Sequence, residues 1–163
     1  MADEVAATPC LVGLLSDTHG VLDERVAVAF EGVEAIIHAG DVCAPHVLRD
    51  LESLAPVTAV AGNCDHAATP GMDLDYVART RIGGVRFLVI HDFSDLGPIP
   101  EDVDVVVCGH SHVPRCEWHG CVLVVNPGSS SQRRRQPSRT VGVLEVRDRA
   151  VGEFRLIPLD EIC

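Results

Sequence analysis

No apolar stretch of this chain reaches the ~18–20 uninterrupted residues that a membrane-spanning helix requires, because Asp, His, Gly or Arg breaks each run early. No membrane partner is therefore expected. The opening residues, Met1 to Cys10, carry Asp3 and Glu4 and lack both a basic n-region and an apolar h-region. They do not read as a secretory signal, and the cytoplasm is the expected compartment. Lysine is missing altogether: all 13 basic residues are arginine, set against 24 acidic ones for a formal net charge of -11 and a pI near 5.0. So little positive charge disfavours long tracts of nucleic acid, whose non-specific binding rests on a basic surface. Seven cysteines without a C-x-x-C pair, an odd number, argue against a disulfide framework or a zinc ribbon. The chain also lacks a P-loop, a G-x-S-x-G elbow, a G-x-G-x-x-G fingerprint and any internal repeat.

What is present is a 163-residue chain, 47% hydrophobic, sized for one globular domain over residues 1–163. Cys10 to Ser16, Ala35 to Ala39, Val57 to Ala61, Phe87 to Ile90 and Val103 to Cys108 are nearly continuous apolar runs, the pattern of strands buried on both faces. Helical spacing separates the first three, over Leu22 to Phe30 and Pro45 to Leu54, which predicts parallel pairing. From Tyr76 the pattern turns to β segments. Gly83-Gly84 joins Tyr76–Ile82 to Val85–Ile90 as a hairpin, Cys121 to Val125 follows, and a C-terminal hairpin is predicted over Thr140–Val146 and Val151–Ile157. Ser129 to Arg135 reads as an exposed, mobile loop, and Asp92 to Asp102 as a segment without a helix. The fold class is α/β, with a mixed sheet or two packed sheets; the edge of the last hairpin leaves a homo-oligomer open.

The chemistry lies where polar residues fall relative to these runs. Five runs end in potential metal ligands: Asp17 and His19, Asp41, Asn63, His91, and His110 with His112. Ligands bind beyond the carboxyl ends of parallel strands, so five such ends should converge on one crevice. Two Asp, one Asn and four His mix hard oxygen with imidazole nitrogen, which suits Mn²⁺, Fe, Zn²⁺, Co²⁺ or Ni²⁺. Seven ligands are too many for one tetrahedral zinc; they suit two divalent ions about 3.5–4 Å apart that share a carboxylate, an arrangement used for phosphate-ester hydrolysis.

With Asp17-Thr18-His19, Gly40-Asp41, Gly62-Asn63-Cys64-Asp65, His91 and Gly109-His110-Ser111-His112 in this order, the chain resembles the calcineurin-like metallophosphoesterase superfamily. It is most similar to the small phosphodiesterase branch of YfcE-like enzymes and the retromer subunit Vps29, a likeness also carried by Asn126-Pro127-Gly128-Ser129. The resemblance implies two facing mixed sheets flanked by helices, a four-layer sandwich. It implies that Asp17, His19, Asp41 and His112 hold one ion and Asp41, Asn63, His91 and His110 the other, with Asp41 bridging and manganese the foremost metal. Asp41, Asn63 and His110 are the expected catalytic residues. The expected activity is that of a hydrolase, a phosphodiesterase in which a hydroxide between the ions attacks phosphorus, on a small phosphodiester or nucleotide-like substrate. The alternative is a non-catalytic or weakly catalytic interaction scaffold of the Vps29 type. Cys64 stands where many larger relatives carry a histidine that protonates the leaving group, which favours substrates with good leaving groups.

Plainer readings apply to the remaining polar residues. His38 reads as a core histidine behind the ligands, His46 and His119 as surface histidines, and Trp118, Cys43 and Cys64 as packing residues. Arg133, Arg134 and Arg135 read as a solvated face. Asp65 and His66 fit either turn stabilisation or approach to a substrate.

Overall fold

The computed structural model describes residues 8–65 and 69–163; His66 lies outside them. Two five-stranded sheets face each other. The first contains β1 (Cys10–Leu15), β2 (Ala35–His38) and β3 (Val57–Ala59), all parallel, with β9 (Thr140–Arg147) antiparallel to β1 and β10 (Ala150–Pro158) beyond it at one edge. The second contains β5 (Val85–Ile90), β6 (Val105–Val107) and β8 (Val122–Asn126) in parallel, flanked by β4 (Val77–Ile82) and β7 (Arg115–His119), both antiparallel. Helix α1 (Arg25–Ala29) crosses from β1 to β2, and α2 (Pro45–Glu52) from β2 to β3.

Alternation along each strand divides the apolar residues between layers. Val12 and Leu14 of β1 point into the space between the sheets with Ile37, Phe87, Val89, Val105, Val107, Leu123, Val125 and Leu144. Leu15 points the other way, onto Val26 of α1, Val47 and Leu51 of α2, and Leu159. Phe87 fills the middle of the inter-sheet layer, and truncating a ring so placed costs about 3–5 kcal/mol. The outer face of the second sheet, through Leu88, Val106 and Val124, is covered by Phe93, Leu96 and Ile99 rather than by a long helix. A single 3₁₀ turn, Phe93–Leu96, stands in the segment expected to lack a helix, capped by Asp92, which accepts from Ser94 N–H at 2.9 Å.

Both hairpins form as expected, and both helices are shorter than their periodicity. α1 starts at Arg25 because Asp23 Oδ1 accepts from Arg25 N–H (3.0 Å) and turns the chain. α2 starts with Pro45 at its first position, where no N–H is needed, and stops before Pro56, which disfavours a helical residue ahead of it.

Three expectations are corrected. Ser129 and Ser130 are buried and Ser131 half-buried, so the exposed part of that loop is confined to the residues after them; the serines turn inward to bond the end of β1. Trp118 is not a packing residue: it lies on the edge strand β7 and is 58% exposed. β7 itself was not expected from its short polar sequence. His46 and His119 are exposed, as expected.

Candidate metal centre

The seven candidate ligands all lie just past the carboxyl ends of parallel strands: Asp17 and His19 after β1, Asp41 after β2, Asn63 after β3, His91 after β5, and His110 and His112 after β6. The backbone turns sharply at each departure. Asp17, His19, Asp41, His110 and His112 all have φ between 46° and 66°, the left-handed region that non-glycine residues rarely enter. Hydrogen bonds between the loops hold them there. Asp17 N–H donates to Gly40 O (3.0 Å), and His19 N–H to Asp41 O (2.9 Å). Two glycines are required by close approach: a Cβ on Gly62 would overlap the Asp41 side chain, and one on Gly109 would overlap Ser16 Oγ and crowd Asp17 Oδ2.

Asp41 Oδ2 lies between two histidine pairs, 3.7 Å from His19 Nε2 on one side and 3.5 Å from His91 Nε2 on the other. On the first side His19 Nε2 and His112 Nε2 are 3.3 Å apart, and His112 Nε2 is 3.1 Å from Asp17 Oδ1. On the second, Asn63 Oδ1 is 3.0 Å from His91 Nε2 and 3.1 Å from His110 Nδ1. Asp17, Asp41, His91 and His112 form the buried floor, while Asn63 and His110 are exposed at the rim with His19 half-buried between.

Several of these atoms face one another as acceptors. His91 Nδ1 donates to Ala39 O (2.7 Å), which leaves its Nε2 as the lone-pair nitrogen in the neutral ring, aimed at the Asn63 carbonyl oxygen and Asp41. Asp17 Oδ1 is buried with no hydrogen-bond donor among the described residues, although Oδ2 receives Ser16 Oγ (2.6 Å) and His110 N–H (3.1 Å). A buried carboxylate oxygen without a donor is costly. A cation resolves both features, and the ligand atoms of Asp17, His19 and His112, and of Asp17, Asp41 and His91, each gather within 4.8 Å. The donor set fits a divalent ion with a preference for oxygen and imidazole.

Charge follows the same geometry. Burial opposes ionisation of Asp41, but the contact from His91 and the Cys64 N–H bond (2.8 Å) outweigh it and hold the carboxyl well below its ordinary range. Burial likewise opposes a charge on His91, yet Asp41, the Ala39 carbonyl and Asp17 together raise its pKa. His112 is moved down, chiefly by burial. His38, fully buried, is pushed down to about 4 by loss of solvent and stays neutral. It is no ligand: Nε2 meets Thr18 Oγ1 (3.0 Å) and Nδ1 accepts from Gly40 N–H (3.2 Å), bracing the turns after β1 and β2.

The calcineurin-like phosphoesterase superfamily domain matches residues 11–149. The chain belongs to this superfamily. A probable metallophosphoesterase of Methanocaldococcus jannaschii is 34% identical over 162 residues, covering 93% of this chain and 82% of its own. An archaeal phosphodiesterase of known structure is 28% identical with a TM-score of 0.73, covering 91% of this chain and 99% of its own. Vacuolar protein sorting 29 of Cryptosporidium parvum, 17% identical, shares the fold with a TM-score of 0.71, covering 92% of this chain and 98% of its own. Divalent-metal binding follows from membership in the calcineurin-like phosphoesterases together with the ligand groups above.

Around the ligands lies a bracing shell that the sequence only partly disclosed. Asp65 takes the turn-stabilising of its two expected roles: its carboxylate accepts from Val42 N–H (3.1 Å), Cys43 N–H (2.7 Å) and Gly62 N–H (2.8 Å), tying the Asp41 loop to the Asn63 loop. Asn126, at the end of β8, donates to Gly109 O (2.7 Å) and Ser111 Oγ (3.1 Å) under the two histidines. Asp92 Oδ2 lies 3.5 Å from His110 Nε2, the contact that orients a ligating ring from its far side. Of the two cysteines read as packing residues, Cys43 is half-buried and Cys64 is not packed. Cys64 is exposed, and Cys43 Sγ lies 3.9 Å from His19 Nδ1.

Proposed function

We propose that this chain is a phosphodiesterase that holds two divalent ions, manganese foremost, with Asp41 shared between them. The position of Asp41 Oδ2 between the His19–His112 and His91–His110 pairs carries this reading. Bound there, two such ions supply Lewis-acid activation of water and offset charge on the phosphoryl oxygens. The chain's own contribution is placement. Asp17 and Asp41 provide the anionic floor, Asn63 a neutral oxygen donor, and His110 sits at the exposed rim where a phosphate oxygen arrives. Asp92 keeps the far nitrogen of His110 occupied.

Beside Asn63, His91 and His110 opens a cavity of about 340 Å³ whose wall includes Tyr76, Val77, Ile90, Asp92 and Asp95, with no Arg among the described residues that line it. That volume lies in the range of small-molecule sites. It suits a neutral, apolar or aromatic ester group, nucleoside-like in size, and repels a second phosphate. A diester is favoured on this ground, and Cys64, whose thiol pKa is raised by burial and by Asp41, leaves protonation of the departing alcohol to solvent.

The test is hydrolysis of bis(p-nitrophenyl) phosphate and p-nitrophenyl phosphate by metal-stripped protein given Mn²⁺, Ni²⁺, Co²⁺, Zn²⁺ or Mg²⁺ singly. Diester turnover should return with metal and vanish in Asp41→Ala, while Tyr76→Ala should raise KM more than it lowers kcat. No turnover with any ion, despite two ions bound per chain, would move the reading to an interaction scaffold.

A further inference from the structure

The hard oxygen-and-imidazole centre has a sulfur-bearing neighbour. His19, Cys43 and Cys64 each present one donor atom, all within 4.8 Å of one another, and no other metal-ligating cluster among the described residues contains sulfur. His19 connects the two places: its Nε2 faces the centre, 3.3 Å from His112 Nε2, and its Nδ1 faces Cys43 Sγ at 3.9 Å. A tetrahedral ion with bonds of about 2.3 Å to sulfur and about 2.1 Å to nitrogen sets a sulfur and a nitrogen donor about 3.6 Å apart, against 3.9 Å for Cys43 Sγ and His19 Nδ1.

The two thiols are aimed from pinned loops. Cys43 holds φ 65°, in the left-handed region where glycine or asparagine is the ordinary choice, and Asp65 accepts its N–H at 2.7 Å. Cys64 N–H is held by Asp41 Oδ1 at 2.8 Å. Cys64 is exposed, so an ion can arrive from solvent and keep a water as its fourth ligand.

We propose that Cys43, Cys64 and His19 Nδ1 form a second ion site on the rim, selective for thiophilic ions such as Zn²⁺, Cd²⁺ or Cu⁺, which inhibits the hard centre by competing for His19. Thiolate ligands select such ions over Mn²⁺ or Mg²⁺. On binding, each thiol gives its proton to solvent and no electron is transferred. A neutral imidazole has one lone pair. When Nδ1 takes the rim ion, the ring proton moves to Nε2 and the hard centre loses that donor. The inhibitory part rests on His19 being a ligand in the proposed function; the rim site itself does not.

Reduced protein, metal-stripped or Mn²⁺-loaded, is titrated with Cd²⁺ while thiolate-to-cadmium absorption is followed in the ultraviolet and free Mn²⁺ by electron paramagnetic resonance. The band should saturate at one ion per chain. In Cys64→Ser, a change at an exposed position, and in Cys43→Ser, cadmium affinity should fall by about tenfold or more. Manganese should be released as the wild-type band grows, and not in Cys64→Ser. A band indifferent to both substitutions, or no band at one equivalent, overturns the site. Loss of both thiols with a mass lower by two hydrogens also overturns it, in favour of a disulfide pair. Failure to load Mn²⁺ at all would count against the proposed function and leave the cadmium titration of stripped protein to decide the rim site.

Discussion

Ser131 Oγ donates to the main-chain oxygen of Asp17 at 2.7 Å, joining residues that stand 114 positions apart. Ser129 Oγ donates to the same oxygen at 3.0 Å. The loop after β8 therefore fixes the turn that presents Asp17. Ser131→Ala should cost about 1 kcal/mol in denaturant unfolding and weaken Mn²⁺ binding by about tenfold. Unchanged affinity measured by calorimetry would mean that the turn holds its shape without the serine.

Asp65 serves three main-chain donors at once, so its removal should be felt more widely. Asp65→Ala strands the N–H groups of Val42, Cys43 and Gly62, at about 1–3 kcal/mol for each that stays buried and unsatisfied. Asp65→Asn keeps one acceptor oxygen and should fall between. If thermal unfolding ranks the two variants the other way, Asp65 is not the tie between the loops.

At Gly109 the crowding by Ser16 and Asp17 leaves no place for a methyl group. Gly109→Ala should distort the Asp17 turn, abolish metal binding and destabilise the fold by about 1–3 kcal/mol. Gly120→Ala is the comparison: its φ is 62° with open space around it, so it should cost about 1–2 kcal/mol of backbone strain and leave metal binding intact. Equal metal affinity in the two variants would contradict this account.

The buried His38 sets a pH dependence. Its pKa in the folded chain is about 4 against an ordinary 6.5, so as pH falls below 6.5 the unfolded chain takes up the proton first. The stability tied to a neutral His38 is fully present above pH 6.5, declines as pH falls, and is gone near pH 4, on the order of 3 kcal/mol in all. Denaturation of metal-stripped His38→Gln should show a flatter profile across that window. A slope identical to wild type would assign the effect to other groups.

The strand ends were legible because a parallel strand buried on both faces reads as an unbroken apolar run, and the first polar residue after it marks the crevice. Asp17, Asp41, Asn63, His91 and His110 were all found that way. The bracing was harder to see. Ser129 and Ser131 lie in a run of serines and arginines whose composition suggests solvent, and only tertiary contact with β1 turns the serines inward. Trp118 and β7 were obscured for the opposite reason: Arg115, Glu117 and His119 alternate with Cys116 and Trp118 over only five residues, too short a pattern to separate from a loop. The thiols of Cys43 and Cys64 are 21 residues apart in the chain, and the ties made by Asp65 and by Asp41 Oδ1 to Cys64 N–H bring their loops together.

The left-handed turns at Asp17, His19, Asp41, His110 and His112 bear on how such a chain drifts over generations. Each position would be more comfortable as glycine or asparagine, by up to about 1–3 kcal/mol where the strain is full. In a lineage relieved of its chemistry, the most accessible stabilising substitutions would be those that erase the centre. Directed selection for heat resistance alone should take the same route, and the order in which these five positions are lost would rank how much strain each one holds.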